Sequence, residues 1–214
     1  MAVFADGPRH AAPPAGALTP RAFVAVLLDE QTRRAVAAQI DRLRPLSKVV
    51  AWVPPHNLHL TLRFLGEQTE ERLAEVVPAL EEAASGVPTF TLSLKGLGAF
   101  PGLDHPRTLW VGVSEGVQDV QRLQAHLAEA LGRRGMPIEA RAWQAHVTIG
   151  RVTDEKRGRR EGMPELRSAL MRGAAAFFGT MLVASIALMR SDLYASGARY
   201  TGIASVPLAS ESGV

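Results

Sequence analysis

The chain has 214 residues, of which 47% are hydrophobic and 21% charged, with a formal net charge of +3 and no cysteine. This length and composition predict a single globular domain, and the absence of cysteine excludes disulfides, thiolate metal sites and a cysteine nucleophile. The weak positive charge is compatible with a phosphate-bearing ligand but does not by itself predict binding to a nucleic acid duplex.

The two ends of the chain differ from its middle. Residues 1–20 are rich in Ala, Pro and Gly and contain no continuous apolar run, so they predict a flexible tail rather than a secretory signal. A second short tail is expected over residues 210–214, which leaves residues 21–209 as the folded domain. Residues 173–189 carry no charge but fall short of the ~20 apolar residues of a membrane span, so they predict a buried strand. We therefore expect a cytoplasmic protein with no membrane segment.

Hydrophobic spacing predicts strands and amphipathic helices that alternate along the chain. The predicted helices cover residues 30–46, 69–84, 117–134 and 163–172, the first of them closed by Pro45. The predicted strands cover residues 21–29, 49–53, 58–66, 89–100, 107–113, 143–151, 182–191 and 198–208. The order strand–helix–strand–strand–helix occurs about twice, which predicts an α+β fold of two similar lobes. Each lobe would have an antiparallel sheet covered by helices on one side.

Two of these strands carry the same polar pattern. Because side chains in a strand alternate between two faces, His59, Thr61 and Arg63 are expected on one face of the third strand, opposite its leucines. His146 and Thr148 are expected on one face of the sixth strand in the same way. One His-x-Thr in a strand is usually a half-buried polar pair, but two in matching lobes predict a shared site.

Two imidazoles and two hydroxyls that converge on one small anion are suited to phosphate-ester chemistry. One neutral histidine accepts a proton from the attacking nucleophile, and the other, protonated, donates to the leaving oxygen. The threonine hydroxyls donate to phosphate oxygens or orient the imidazoles. This chemistry requires no metal and no cofactor, and none is expected.

The two HxTx motifs, His59-Leu60-Thr61-Leu62 and His146-Val147-Thr148-Ile149, resemble the signature of the 2H phosphoesterase superfamily. Within it, the chain resembles the bacterial and archaeal RNA 2′,3′-cyclic phosphodiesterases, historically called 2′-5′ RNA ligases. The resemblance extends over most of residues 21–208 and is carried, beyond the motifs, by residues 21–28, 52–67, 98–113 and 187–208.

The resemblance implies a bilobal α+β fold with a pseudo-two-fold axis, in which two antiparallel sheets with outer helices surround a central cleft. It implies hydrolysis of 2′,3′-cyclic phosphates of RNA ends or small nucleotides to 2′-phosphomonoesters, without a metal. The chain is expected to be a monomer. His59 would be the general acid and His146 the general base, with Thr61 and Thr148 on the phosphate oxygens.

Three alternatives remain open from the sequence. The same site could join RNA ends through a 2′-5′ linkage, which is the reverse reaction. It could instead hydrolyse ADP-ribose 1″,2″-cyclic phosphate. The third alternative is a noncatalytic protein that binds RNA ends, which two titratable imidazoles argue against.

Other residues are weaker candidates for the site. Arg63 is a candidate phosphate ligand by its strand position. Arg151 is a second candidate, although strict alternation places it opposite His146 unless Gly150 allows a bulge that redirects it. Candidates to stack a nucleobase are Trp143, Trp110 and Phe100. His56 follows two prolines and is expected at the surface, outside the site.

Overall fold

The structure, a computed structural model, describes residues 20–137, 142–153, 163–195 and 197–210. It contains nine strands within these residues: β1 (Arg21–Leu27), β2 (Val50–Trp52), β3 (His59–Glu67), β4 (Phe90–Phe100), β5 (Thr108–Glu115), β6 (His146–Val152), β7 (Phe177–Val183), β8 (Ser185–Tyr194) and β9 (Gly197–Pro207). The four α-helices are α1 (Glu30–Leu43), α2 (Glu70–Ser85), α3 (Val117–Arg133) and α4 (Pro164–Arg172). The α+β fold class is confirmed, whereas the predicted N-terminal tail and residues 211–214 lie outside the described residues except for Pro20.

Two of the four described α-helices, α1 and α2, begin where a side chain caps a free amide group. The Asp29 carboxylate accepts a hydrogen bond from the Thr32 amide at 2.7 Å at the start of α1. The Thr69 hydroxyl accepts one from the Arg72 amide at 3.3 Å at the start of α2. Short polar side chains at these positions satisfy amides that have no partner within the helix. The helix boundaries predicted from the sequence are therefore confirmed to within a few residues.

All nine strands belong to one antiparallel sheet, with strand order β7-β4-β5-β6-β3-β1-β8-β9 and with β2 paired to β6. The sheet has two equivalent halves that meet where β3 pairs with β6, through the single residue pair Leu60–Val147. Counted outward from this junction, β3, β1, β8 and β9 correspond to β6, β5, β4 and β7. The connections β1–α1–β3 and β5–α3–β6 also correspond, which is the expected pseudo-two-fold relation. The two predicted sheets are thus joined edge to edge into one.

The sheet is strongly curled. Strands β7 and β8 are separated in the chain by Ala184 alone, yet they stand six positions apart in the sheet order. In a flat sheet, strands six positions apart would be separated by about 29 Å, which one residue does not span. The sheet must therefore bend into a half-barrel that brings its two halves together at Ala184. The single strand predicted over residues 182–191 is corrected accordingly, because this run contains the end of β7 and most of β8.

The main hydrophobic core lies between the helices and one face of the sheet. Its fully buried side chains come from both layers, for example Val36 of α1, Leu80 of α2, Leu127 of α3 and Leu60 of β3. A second, small apolar cluster lies on the opposite face of the first half and is formed by Phe23, Ala25, Ala187 and Met189, with Tyr200 against it. We call this second face the open face of the sheet. Among the described helices, none is both long and apolar enough to cross a bilayer.

Candidate active site

The junction between the two halves places the two HxTx motifs side by side. Because β3 and β6 are antiparallel and Leu60 pairs with Val147, the same register sets His59 next to Thr148 and Thr61 next to His146. Leu60 and Val147 are completely buried in the main core, whereas the two histidines and two threonines are partly exposed on the open face. The structure thus brings together all four residues that the sequence predicted for the centre of the site.

Each imidazole is held by a backbone carbonyl two residues upstream. The Nδ1 atom of His59 lies 2.7 Å from the carbonyl oxygen of Asn57, and that of His146 lies 2.8 Å from the carbonyl oxygen of Gln144. Since a carbonyl oxygen only accepts hydrogen bonds, both Nδ1 atoms carry a proton. The Nε2 atoms are then the ones that take up and release a proton, and the Nε2 atom of His59 lies 3.0 Å from the Thr61 hydroxyl.

Aromatic rings pack against both histidines in different ways. The His59 ring is stacked on Phe23, with centroids 4.7 Å apart and an interplanar angle of 26°, and meets Tyr200 edge to face at 5.4 Å. The His146 ring meets only one of the described rings, Phe100, edge to face at 5.1 Å. These contacts fix the orientation of the imidazoles and remove water from one side of each.

The electrostatic environment lowers the pKa of both imidazoles. For His59 the main cause is burial, which the hydrogen bond to Asn57 opposes, and the positive charges of His146 and Arg151 lower its pKa further. For His146 burial is again the main cause, opposed by the hydrogen bond to Gln144 and reinforced by Arg151. Both histidines therefore lose their proton more readily than a free imidazole, and an anion bound between them would reverse part of this effect.

Arg151 reaches the open face because β6 contains a bulge. Trp110 of β5 pairs with Thr148, but the next residue, Leu109, pairs with Gly150, so Ile149 and Gly150 together oppose one residue. Arg151 then pairs with Thr108 and lies on the same face as Thr148. Its guanidinium donates to the Thr108 hydroxyl at 3.4 Å. The redirection that Gly150 was expected to allow is present in the structure.

A glycine is required at this bulge because another strand packs on it. A Cβ atom at Gly150 would lie 2.8 Å from Val50 Cγ1 and 3.1 Å from Trp52 Cε3, both of β2. Strand β2 pairs directly with this part of β6, so its side chains close off the space.

Arg63 does not join the site, in contrast to the prediction from strict alternation. Thr61 pairs with Ala25 of β1 and Arg63 pairs with Val24, so Leu62 and Arg63 form a bulge that turns Arg63 to the helix-covered face. There Arg63 is 5% exposed and donates a hydrogen bond to the carbonyl oxygen of Pro137. It holds the segment that follows α3.

The three aromatic residues considered for base stacking have structural contacts. Trp143 donates from Nε1 to the carbonyl oxygen of Thr61 at 3.1 Å and packs against the main core. Trp110 and Phe100 lie on the open face with ring centroids 5.3 Å apart. The Trp110 ring covers Gly98, where a Cβ atom would lie only 2.2 Å from it.

Sequence reasoning missed the residues that surround His59. Phe23 and Tyr200 come from β1 and β9, and the sequence does not specify which residues of a distant strand stand beside a given histidine. The carbonyls of Asn57 and Gln144 have no sequence signal, since every residue supplies one. His56 is exposed in a short 3₁₀ helix (Pro55–Asn57), as expected. In the part of the chain that the structure describes, no three His, Asp or Glu side chains converge as metal ligands would.

Known proteins resemble this chain over most of its length. The family model described as the 2′-5′ RNA ligase superfamily matches residues 32–195. A protein of Aquifex aeolicus named RNA 2′,3′-cyclic phosphodiesterase is 35% identical over 182 residues, which are 85% of this chain and 93% of that protein. A protein of the same name from Archaeoglobus fulgidus is 36% identical over 180 residues, or 84% of this chain and 96% of that protein.

Solved structures match the fold. The TT0787 protein of Thermus thermophilus has a TM-score of 0.69 and 31% sequence identity, covering 89% of this chain and 99% of that one. The LigT protein of E. coli in its apo form also has a TM-score of 0.69, at 22% identity, covering 90% of this chain and 99% of that one. The second similarity concerns the fold alone.

Proposed function

Because the chain belongs to the 2′-5′ RNA ligase superfamily, we propose that it hydrolyses 2′,3′-cyclic phosphates at RNA ends or on nucleosides to 2′-phosphomonoesters. The reaction proceeds by acid–base catalysis between His59 and His146 and without a metal ion. The observation that carries the proposal is the register at the centre of the sheet, which sets each histidine beside the threonine of the other motif. The names of the relatives give the substrate class.

The proposed steps balance in protons and bonds. A water molecule loses a proton to Nε2 of His146, and its oxygen forms a new bond to phosphorus. The bond between phosphorus and the ribose 3′-oxygen breaks, and Nε2 of His59 donates its proton to that oxygen. The product is a 2′-phosphomonoester with a free 3′-hydroxyl. The two histidines end with exchanged protonation states and return to the initial state by exchange with solvent.

The surroundings of the two histidines support this division of roles. His59 lies face to face with Phe23 within the distance at which a ring stabilises a cation, so a proton on His59 is favoured by this contact once an anion occupies the site. The ring of His146 has no stacked partner among the described residues and is less buried than that of His59, which leaves it more accessible to a water molecule.

Three side chains are proposed to bind the phosphate. The hydroxyls of Thr61 and Thr148 donate to its non-bridging oxygens from either side of the Leu60–Val147 pair. Arg151, redirected by the bulge, supplies a positive charge on the same face. Hydrogen-bond donors that are already in place stabilise the charge that develops on the phosphorane oxygens at little reorganisation cost.

The test is hydrolysis of adenosine 2′,3′-cyclic phosphate in the presence of EDTA, with phosphorus NMR to identify the product. We expect the wild type to form the 2′-phosphate with or without EDTA. The variants His59→Ala and His146→Ala should each lose about 10²- to 10⁴-fold in kcat, the usual contribution of a general acid or base. His56→Ala, which changes an exposed histidine three residues before His59, is the matched control and should keep full activity.

Each part of the proposal has its own contradicting outcome. Loss of wild-type turnover on chelation would refute the metal-free mechanism, and full activity in either site variant would refute the two-histidine mechanism. Formation of the 3′-phosphate would reverse the assignment of the leaving oxygen. Binding of the cyclic phosphate with no turnover would instead identify a noncatalytic RNA-end-binding protein.

A further inference from the structure

The two HxTx strands carry the same irregularity at the same position. In β3, Leu62 and Arg63 form a bulge opposite Val24, directly after Thr61. In β6, Ile149 and Gly150 form a bulge opposite Leu109, directly after Thr148. The first residue after each bulge returns to the open face. By the pseudo-two-fold relation, Phe64 therefore occupies the position in the first half that Arg151 occupies in the second.

Phe64 and Arg151 lie at opposite ends of the group formed by the histidines and threonines of the two motifs. The antiparallel register sets His59 and Thr148 in one row and Thr61 and His146 in the next. Arg151 follows Thr148 and lies beyond the row that contains His59, whereas Phe64 follows Thr61 and lies beyond the row that contains His146. One end of the site is therefore cationic and the other end is aromatic.

The Phe64 ring is exposed to solvent and packs against a buried ring, as a residue that stacks a base would. Phe64 is a large apolar side chain that is 56% exposed, so its ring is accessible to a ligand on the open face. Its ring centroid lies 6.3 Å from that of Phe23, which is 3% exposed and is itself stacked on His59. Phe64 is thus fixed on one side by a buried ring and open on the other.

We propose that Phe64 stacks the nucleobase of the nucleotide whose cyclic phosphate lies between His59 and His146. This proposal deepens the proposed function and rests on it. Phe64 lies three positions along the strand from Thr61, or about 10 Å at most, a distance that a phosphate, its ribose and a stacked base cover together. Because every base has an aromatic face, such a contact holds the terminal nucleotide without reading its sequence.

The other aromatic residues near the two motifs are less suited to this role. Phe23 is buried beneath His59, and the Trp110 ring lies against Gly98 and Phe100. Trp143 is held by its hydrogen bond to Thr61. Among the described aromatic side chains next to the two motifs, Phe64 alone exposes more than half of its surface.

The experiment compares a substrate that has a base with one that has none. Adenosine 2′,3′-cyclic phosphate and the base-free methyl riboside 2′,3′-cyclic phosphate are assayed with wild type, Phe64→Leu and Phe64→Trp. Phe64→Leu should raise KM for the adenosine substrate about 5- to 30-fold, within the range measured for loss of one base–aromatic contact. It should leave the base-free substrate unchanged, and Phe64→Trp should retain tight binding of the adenosine substrate.

Two further variants serve as controls. Phe177→Leu changes an equally exposed phenylalanine (62%) on β7, at the far end of the sheet order, and should alter neither substrate. Trp110→Leu tests the competing assignment, in which Trp110 stacks the base. A base-dependent loss in that variant and not in Phe64→Leu would overturn the proposal, as would an equal loss of both substrates in Phe64→Leu, which indicates a packing role.

Binding without turnover separates this inference from the proposed function. Calorimetry with adenosine 2′-monophosphate and with ribose 2-phosphate gives the same contrast between a ligand with a base and one without. If the wild type hydrolyses neither substrate, the proposed function fails, and the calorimetric difference between wild type and Phe64→Leu still decides the stacking role. If the wild type hydrolyses both substrates and Phe64→Leu behaves like wild type, the proposed function stands and the stacking role is refuted.

Discussion

Replacing Gly150 with alanine tests whether the bulge of β6 positions Arg151. The added Cβ atom would lie 2.8 Å from Val50 Cγ1 and 3.1 Å from Trp52 Cε3, and 3.5 Å from the carbonyl oxygen of Ala51. The first distance is shorter than carbon atoms tolerate, and the branched Val50 side chain has little rotameric freedom in a strand. Either β2 or the bulge must therefore move, and Arg151 is the residue that follows the bulge.

The short distance between the new Cβ atom and Val50 sets the expected loss of stability and activity in Gly150→Ala. Overpacking of this kind costs about 1–3 kcal/mol of unfolding free energy, measured by urea denaturation. A displacement of Arg151 by about 1 Å should lower kcat/KM by roughly 10- to 100-fold, even though no side chain proposed to contact substrate has been changed. Gly102→Ala is the matched control, because a Cβ atom there meets nothing within 4 Å. That variant should stay within about 0.5 kcal/mol of wild type.

A double variant distinguishes this mechanism from a general loss of stability. Val50→Ala removes the methyl group that the new Cβ atom would strike, so the combination with Gly150→Ala should lose less stability than the two single losses added together. A coupling of about 0.5–3 kcal/mol is typical for residues in contact. Simple additivity, or a Gly150→Ala variant with wild-type stability and activity, would refute the reasoning.

Two further predictions follow from the contacts of the histidines. The profile of kcat/KM against pH should be bell-shaped, with its maximum below the free-imidazole pKa of about 6.5, because burial lowers the pKa of both His59 and His146. Activity is lost on the alkaline side as the general acid gives up its proton, and a maximum above pH 7 in a kinetic titration would contradict this. Asn57→Ala removes the 2.7 Å hydrogen bond from the Asn57 side chain to the carbonyl oxygen of Ala198. That bond ties the segment before His59 to β9, so the variant should lose about 0.5–1.5 kcal/mol of unfolding free energy and some kcat with KM little changed. Wild-type kcat in that variant would exclude a positioning role.

The sequence was sufficient for the features that depend on local pattern. The starts of α1 and α2 were predictable because Asp29 and Thr69 are capping residues. The His and Thr positions followed from alternation within a regular strand. Alternation failed where the strands are irregular. The bulge of β6 had a signal, since a glycine follows the motif, whereas that of β3 falls on Leu62 and Arg63, which give none.

Features that depend on strand order were not predictable from one sequence. Phe23 and Tyr200 stand beside His59 because β1 lies between β3 and β8 and because the sheet curls. The division of residues 177–194 into β7 and β8 has the same origin. Ala184 is a small apolar residue in an apolar run, so the sequence marks no strand end there. The chain changes from pairing with β4 to pairing with β9 at this point because the half-barrel closes.

The two halves of the sheet have the same backbone arrangement but carry different side chains at equivalent positions. This difference makes the two ends of the site unlike each other. If the two matching bulges were followed by the same residue, the site would be symmetric at both ends and could not distinguish the 2′-oxygen of a cyclic phosphate from the 3′-oxygen. Here one bulge presents Arg151 and the other Phe64, and His59 is stacked on Phe23 whereas His146 meets Phe100 by an edge. In the proposed mechanism, the symmetric part of the structure, the paired histidines and threonines, carries out the acid–base chemistry at phosphorus. We propose that the asymmetric part, outside the motifs, orients a given substrate so that His59 acts as the acid and His146 as the base.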